Sequence, residues 1–174
     1  IEHGPFQHVC NVSATRLPDK SFSLICTAYP DANGLNKPIF FHSPDGKTWN
    51  GSPEPYTPKI EDIVTMTGYN KYKSADINGI NVVLFEDNQY RLYFANFRDF
   101  GHVYRASSSN GHDYHFESAV LDEALMPNDV KRFQIVGKTW YLLGLHHNGP
   151  ELRYTLSTDP LKFPPTKLLC EKLG

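Results

Sequence analysis

One seven-residue phrase occurs three times in this chain, and it constrains the fold more than any other feature. The phrase has a serine, an Asp or Asn two residues later, Gly or Pro next, and an aromatic residue three positions further. Its copies are Ser43–Trp49, Ser108–Tyr114 and Ser157–Phe163. Asp and Asn side chains bond to backbone amides two residues on, and glycine accepts the left-handed conformation, so each copy predicts the same tight turn. We expect the three aromatic side chains to pack in the core.

A β-rich segment precedes each copy of the phrase, so the repeating unit is longer than the turn. The matching strands are Phe22–Ile25, Tyr90–Tyr93 and Trp140–Leu143, and the distances from the third residue, a leucine in each, to the repeat serine are 19, 16 and 15 residues. Successive repeat serines are 65 and 49 residues apart. A period of this length with several strands per unit is typical of propeller blades, which bury their faces against their neighbours. The alternative is three ordinary hairpins that share a turn type.

The composition agrees with one all-β domain. Helix-period segments are nearly absent, and the 174 residues include 13 prolines and 12 glycines. We therefore predict β-propeller-type blades of antiparallel sheets, about three in this chain, at roughly 1–60, 75–120 and 121–170 of a single partial domain. The longest irregular stretch, residues 51–78, is expected to hold the outer strand of the first blade and a long crossing to the second.

Charge and hydropathy argue against two classes of partner. The net charge is −2, and the Lys and Arg residues are scattered singly, so we expect no nucleic acid partner. No apolar run approaches the ~20 residues that span a bilayer, so we expect no membrane partner. The first four residues do not resemble a signal peptide. The sequence leaves the cellular location open, with the extracellular space or the periplasm slightly favoured.

The sequence predicts no cofactor and no metal site. Cys10, Cys26 and Cys170 have no metal-ligand spacing, and an odd number of cysteines is a poor disulfide framework. We expect free thiols, with a Cys10–Cys26 bridge between consecutive strands as the alternative. The adjacent His146 and His147 point to opposite faces of a strand, so at most one of them reaches a shared ligand.

Two longer segments resemble a known family. Asn81–Phe94 and Asn128–Leu142, each followed by a copy of the serine turn, resemble blades of the five-bladed propeller glycosidases, a superfamily that includes arabinanases, xylosidases, arabinofuranosidases and β-fructosidases. The resemblance covers nearly the whole chain and rests on the blade pattern rather than on a catalytic motif. It implies a propeller that acts on or binds carbohydrate, and O-glycosyl hydrolysis by paired carboxylates if the chain is an enzyme.

The strand order predicts where a site would lie. Consecutive strands are antiparallel, so the start of the innermost strand and the end of the second strand reach the same end of a blade, which we call the mouth. Amide, imidazole and aromatic groups there suit sugar hydroxyls. The predicted substrate-binding residues are His8, Tyr29, Asn96, Arg98, His146, His147 and Asn148. The alternative is that these are ordinary polar loop ends.

The family resemblance also implies candidates for catalysis, which needs two carboxyl groups flanking the scissile bond. Asp129 stands at the start of an inner strand, much like the Asp that opens an inner strand in those glycosidases. Asp76 lies about three residues before the equivalent place in the second blade. We predict Asp129 as the base and Asp76 as an orienting carboxylate. The acid would be Glu2, which begins a Glu-x-x-Pro sequence, or Glu123.

Two alternatives to catalysis remain open at this stage. An Asp at a strand start often accepts backbone N–H bonds, so Asp129 can be structural. The first blade has Cys10 or Asn11 where the family has an aspartate. The chain can therefore be a non-catalytic carbohydrate-binding or protein-interaction module, with Tyr29 stacking on a sugar face.

The length of the chain predicts an oligomer. Five blades of about 50 residues need roughly 250 residues, whereas 174 residues hold about three. A three-blade arc leaves apolar faces and strand edges of its terminal blades uncovered. We expect a homo-oligomer, most simply a dimer, in which a second copy closes or covers the open blades.

Overall fold

The computed structural model describes residues 5–29, 37–69, 81–147 and 149–171, and the regular structure in these ranges is β apart from two short 3-10 turns at Ile60–Asp62 and Phe97–Asp99. Strands of this part of the chain are β1 His8–Arg16, β2 Phe22–Tyr29, β3 Lys37–Ser43, β4 Thr48–Trp49, β5 Ser52–Pro53, β6 Thr65–Thr67, β7 Asn81–Glu86, β8 Gln89–Ala95, β9 Val103–Ser108, β10 Asp113–Leu121, β11 Met126–Ile135, β12 Lys138–His146, β13 Leu152–Ser157 and β14 Lys167–Cys170. None of the described helices is long and apolar enough to cross a membrane.

The strands form three up-and-down sheets, which we call blades 1, 2 and 3. Blade 1 is β1-β2-β3, blade 2 is β7-β8-β9-β10 and blade 3 is β11-β12-β13-β14, while β4 and β5 form a separate small hairpin. Within each blade, every strand pairs antiparallel with the next. The innermost strand β7 contacts both β1 and β11. The prediction of an all-β chain with propeller-type antiparallel blades is confirmed.

The repeated phrase forms the same kind of hydrogen-bonded turn at the end of the third strand of each blade. In blades 1 and 2 the serine hydroxyl accepts the N–H groups of Gly46 and Gly111, at 2.7 and 2.9 Å. The side-chain oxygen at the third position accepts two further N–H groups in each of these turns. Pro160 has no N–H, and in that copy the Ser157 hydroxyl donates to the carbonyl oxygen of Lys162 at 2.6 Å. The phrase recurs because the turn needs these side-chain acceptors.

The sheet register fixes which residues of the three blades are equivalent. Each repeat serine lies opposite a residue of the second strand. The pairs are Ser43 with Phe22, Ser108 with Tyr90 and Ser157 with Tyr141. The predicted alignment, which placed Trp140 at this position, is therefore wrong by one residue. Such a slip moves every side chain to the other face of the sheet.

The corrected alignment makes Leu24, Leu92 and Leu143 equivalent. Blade 3 has leucine at both 142 and 143, so the hydrophobic pattern of that strand does not indicate which of the two faces blade 2. The structure places Leu143 among the residues that face blade 2, with an exposed fraction of 0%.

Two apolar clusters hold the blades together, one at each seam. Adjacent residues of β8 pack into opposite seams. Leu92 belongs to the cluster between blades 1 and 2, and Tyr93 belongs to the cluster between blades 2 and 3. Both are 0% exposed. The repeat aromatics Tyr114 and Phe163 are buried in these clusters, and Trp49 packs on a third cluster on the outer face of blade 1.

A buried charge network also lies in the seam between blades 2 and 3. Glu86, at the end of β7, accepts a hydrogen bond from the Tyr141 hydroxyl at 2.8 Å. Its carboxylate lies 3.4 Å from the guanidinium of Arg105 and 3.5 Å from that of Arg132. Arg105 also lies 3.0 Å from Glu117 of the same blade. Side chains of both blades therefore contact one buried carboxylate.

The segment after blade 1 departs from the prediction. Within the described residues 51–69, strand pairing with β3 is limited to a single antiparallel bridge between Ile63 and Ile39, and no full outer strand of blade 1 forms there. The chain then crosses, and β6 pairs in parallel with β10 of blade 2. The remaining part of the predicted stretch, residues 70–78, lies outside the described residues.

The three cysteines are free thiols. A register shift between Cys10 and Ser13 places Cys10 opposite Thr27 in β2. Burial raises the pKa of the Cys26 thiol to about 12.

His112 connects the turn of blade 2 to the crossing segment. Its Nδ1 lies 3.0 Å from Oδ1 of Asp113, and its Nε2 lies 2.8 Å from the carbonyl oxygen of Glu61. Both partners are acceptors and a neutral imidazole carries one N–H, so only the imidazolium can donate to both. Burial opposes the charge, but the hydrogen bonds to Asp113 and Glu61 and the charges of Asp113 and Asp62 outweigh it and raise the pKa of His112.

The glycine of the blade 2 turn generates a first prediction. Gly111 has a φ of +81°, and a Cβ built there would overlap the ring of Phe40 in blade 1. We expect Gly111→Ala to lower the free energy of unfolding by about 2–5 kcal/mol, from the left-handed backbone and the overlap together. Gly46 is the matched control, because its φ is +77° but the nearest atom to its Cβ is 3.7 Å away. Gly46→Ala should cost only about 1–2 kcal/mol. Equal losses in urea denaturation would contradict the seam contact.

A second prediction concerns pH. The raised pKa of His112 gives a stabilisation that is complete below its unfolded value of about 6.5 and is lost as the pH rises through the folded value. We expect His112→Gln to lower the free energy of unfolding more at about pH 5.5 than at about pH 8.5. Chemical denaturation of both proteins at the two pH values checks this. A difference that is the same at both would rule out the imidazolium as the stabilising form.

Candidate functional site

The mouth is the end of the blades at which the innermost strands begin and the second strands end. In blade 1 it is marked by His8, which opens β1 and pairs with Tyr29 at the end of β2. Their ring centroids lie 6.0 Å apart in an edge-to-face arrangement. His8 is exposed and Tyr29 is half-buried, so both predicted binding residues of blade 1 reach the mouth.

In blade 2, Asn96 has a positioning role. Its side chain is 0% exposed and its amide donates to the Tyr69 hydroxyl at 3.2 Å. The backbone carbonyl oxygen of Asn96 accepts the N–H of Asp99, at 3.0 Å, and so closes the 3-10 turn Phe97–Asp99. The Asn96 side chain therefore supports the turn and is not available to a ligand at the mouth.

That turn begins a row of aromatic rings along the mouth. The ring centroids of Phe97 and Phe100 lie 5.8 Å apart, and those of Phe100 and His147 also lie 5.8 Å apart. Phe97 is 40% exposed and His147 is exposed. We call Phe97, Phe100 and His147 the aromatic row. It joins the loop after β8 in blade 2 to the end of β12 in blade 3.

His146 lies beside the aromatic row at the end of β12. Burial and the neighbouring charge of His147 lower the pKa of His146, so its ring is neutral at neutral pH. Its Nδ1 is buried and has no hydrogen-bond partner among the described residues. A neutral imidazole presents one donor and one acceptor, which can match a hydroxyl group.

The predicted base, Asp129, is held by residues next to it in the chain. Its side chain is 53% exposed, and Oδ1 accepts the N–H of Val130 at 2.9 Å and the ammonium of Lys131 at 2.8 Å. The prediction placed Asp129 at the start of the inner strand, but it is the fourth residue of β11 and lies at the register shift after Pro127. The exposed carboxylate nevertheless remains accessible to a ligand from solvent.

Other carboxylates at this end of the blades have local partners as well. Glu123 accepts the N–H and the hydroxyl of Thr166, at 2.7 and 2.6 Å. Asp122 lies 3.0 Å from Nδ1 of His102. The predicted residues Glu2, Asp76 and Asn148, and the side chain of Arg98, lie outside the described part of the chain. Within the described ranges, no group of three His, Cys, Asp or Glu residues could hold a metal ion.

Sequence reasoning missed two members of the aromatic row. Neither Phe97 nor Phe100 was among the predicted site residues. The available signal was the sequence Phe97-Arg98-Asp99-Phe100, because two phenylalanines beside charged residues directly after a strand have no obvious place in the core.

No protein-family model matches the chain, and no curated protein matches it. Solved structures do match. A thermostable family-43 glycoside hydrolase gives a TM-score of 0.62 at 14% identity, over 99% of this chain and 56% of that chain. RS223 beta-xylosidase gives 0.61 at 14% identity, over 95% and 60%. The Bombyx mori GH32 beta-fructofuranosidase gives 0.57 at 15% identity, over 99% and 38%.

These likenesses show the fold. The chain has the architecture of part of a five-bladed propeller of the glycosidase type, and the predicted resemblance is confirmed at that level. It spans between 38% and 60% of the length of these three structures.

Proposed function

We propose that the chain is a carbohydrate-binding propeller unit of the glycoside hydrolase type, and that it binds sugar at the mouth between blades 2 and 3. The observation that carries this proposal is the aromatic row. Phe97 and His147 are exposed and Phe100 is half-buried, and neither phenylalanine belongs to the apolar clusters at the two seams. Their rings are therefore available to a ligand.

A sugar suits this surface because its ring has a C–H side and a hydroxyl side. The C–H side would cover Phe97 and Phe100, and polar groups at the edge would fix the orientation through hydrogen bonds. His146 has a buried ring nitrogen without a partner among the described residues, and the pair of His102 and Asp122 adds an acceptor on blade 2. Apolar stacking with a few convergent polar groups is the usual composition of a small-ligand site.

A third prediction tests the aromatic row. We expect Phe97→Ala and Phe100→Ala each to weaken sugar binding by roughly tenfold, which corresponds to about 1.4 kcal/mol, because each removes a stacking surface. The measurement is isothermal titration with xylose-, arabinose- and fructose-based oligosaccharides. Leu161→Ala is the control, since Leu161 is 45% exposed in the blade 3 turn, away from the mouth. Binding that survives both phenylalanine substitutions would place the sugar site elsewhere.

Hydrolysis is the second candidate function, and the exposed Asp129 carboxylate on the innermost strand of blade 3 favours it. The reaction requires a second carboxyl group, about 5–5.5 Å away for retention or about 6.5–9.5 Å for inversion. Asp76 and Glu2 remain our candidates for the other carboxyl groups.

A fourth prediction separates the two functions. If the chain hydrolyses aryl glycosides, Asp129→Asn should lower kcat by at least about 100-fold, since removal of general-base assistance costs 10²–10⁴-fold. Sugar affinity should change little. Lys131→Met is the matched control, because it removes the ion pair and keeps the carboxylate. Unchanged turnover in Asp129→Asn would exclude Asp129 as the base.

The partner in this proposal is a second copy of the chain. The described residues form three blades, and each end blade keeps one sheet face without a neighbouring blade. The face of blade 1 is apolar, whereas that of blade 3 carries the exposed Ile135 and Leu156 together with the ion pair of Asp129 and Lys131. A dimer is the simplest assembly that covers both faces.

A further inference from the structure

The loop that carries the two phenylalanines of the aromatic row is short. It leaves the end of β8 at Asn96, and Phe97 and Phe100 lie on it. Two backbone hydrogen bonds shape it, since the N–H of Asp99 donates to the carbonyl oxygen of Asn96 at 3.0 Å and the N–H of Gly101 donates to that of Asp99 at 2.9 Å. A single turn of this kind opens easily by itself, because few bonds offset the order that it imposes on the backbone.

Two buried tyrosine hydroxyls hold this loop, one near each end. At its start, the side-chain amide of Asn96 donates to the Tyr69 hydroxyl at 3.2 Å. At its end, the Tyr104 hydroxyl donates to the carboxylate of Asp99. Both tyrosines are buried, so water competes little for either hydrogen bond. Burial and the hydrogen bond to Asp99 raise the pKa of Tyr104, so its hydroxyl stays protonated and able to donate.

The tyrosine rings are themselves held by the core of blade 2. The ring centroid of Tyr104 lies 5.5 Å from that of Phe94 and 5.8 Å from that of Phe116. Tyr69 lies 5.9 and 4.8 Å from the same two rings, and 5.5 Å from Tyr104. Tyr104 belongs to β9, whereas Tyr69 follows β6 on the segment that crosses from blade 1. Two separate segments of the chain therefore anchor one loop of the mouth.

We infer that Tyr69 and Tyr104 are positioning residues of the sugar site, which hold the loop so that Phe97 and Phe100 stay in the aromatic row. Phenylalanine at either tyrosine position would supply the same ring to the core, so packing alone does not account for the hydroxyls. A buried tyrosine hydroxyl needs a hydrogen-bond partner, and both have one on this loop. The inference rests on the proposed function for the ligand, and it adds residues that act on the site without touching the sugar.

A fifth prediction tests this role with Tyr104→Phe, which removes the hydroxyl and keeps the ring. We expect the backbone N–H groups of Asp99 and Gly101 to exchange with solvent roughly tenfold faster, because opening the loop no longer breaks the bond to Asp99. Sugar affinity should fall roughly tenfold as well, since the rings are no longer held in place before binding. Nuclear magnetic resonance measures the exchange, and isothermal titration measures the affinity.

Tyr90→Phe is the matched control. Tyr90 is also buried, and its hydroxyl lies 3.2 Å from that of Ser23, at the end of β8 opposite the mouth. Its loss can lower the overall stability but leaves the loop bonds intact. We therefore expect the exchange at Asp99 and Gly101 and the sugar affinity to stay at the wild-type values. A role in general stability would give the same changes in both variants.

Asp99 provides a rescue test. Asp99→Asn keeps a side-chain oxygen that can accept the Tyr104 hydroxyl, whereas Asp99→Ala does not. We expect the sugar affinity of Asp99→Asn to stay closer to that of the wild type, and Asp99→Ala to reproduce the loss in Tyr104→Phe. The nuclear Overhauser contact between the rings of Phe100 and His147, whose centroids lie 5.8 Å apart, should be weakened in the Ala variant and kept in the Asn variant.

Two results would overturn the positioning role. Wild-type exchange at Asp99 and Gly101 in Tyr104→Phe would show that the hydroxyl does not hold the loop. Faster exchange with unchanged sugar affinity would show that the order of the loop does not matter to the site. A wild-type chain that binds none of the sugars would contradict the proposed function instead. The exchange rates and the contact of Phe100 with His147 need no sugar, so they would still decide whether the tyrosines hold the aromatic row.

Discussion

A blade of this protein is a sheet with two apolar faces, and it cannot cover either of them alone. Blade 2 shows the solution, because Leu92 and Tyr93 are adjacent in β8, face opposite neighbours and are both 0% exposed. Every other feature of the structure depends on this burial. The repeat turn of blade 2 packs against blade 1, because Gly111 lies against the ring of Phe40. The mouth is the place where loops of neighbouring blades meet.

The seam between blades 2 and 3 is fixed at both ends by different chemistry. At the end opposite the mouth, Arg105 of blade 2 and Arg132 and Tyr141 of blade 3 converge on the buried carboxylate of Glu86. An apolar contact tolerates some sliding, whereas a buried carboxylate without its partners costs about 3–5 kcal/mol, so this network favours one orientation of the blades. At the mouth, the aromatic row crosses the same seam. The aromatic row therefore lies at a seam whose orientation the buried network holds, and a ligand can bind there with little loss of side-chain entropy.

The sequence allowed the blades to be predicted because the turn chemistry is local. Serine and Asx oxygens close the turns with bonds inside seven residues, so the repeat was visible without knowledge of tertiary contacts. The register of blade 3 was wrong because Leu142 and Leu143 are chemically alike, and only the pairing of Tyr141 with Ser157 separates their faces. The place of β6 beside β10 was not predictable, since it depends on a contact across 48 residues. The aromatic row joins three residues from two blades, so no single segment reveals it. Asn96 was predicted to bind substrate because its burial depends on tertiary contacts that the sequence does not show.

The proposed function draws on groups that lie on different blades at the mouth. His8 and Tyr29 lie at the mouth end of blade 1, and His146 and His147 lie at that of blade 3, so these groups stand on the two outer blades of the arc. The aromatic row joins blades 2 and 3 between them. Under the proposed function, a single sugar ring would contact one part of this surface, whereas a longer oligosaccharide would contact groups on more than one blade. The chain length of the oligosaccharide is therefore a property on which its affinity would depend.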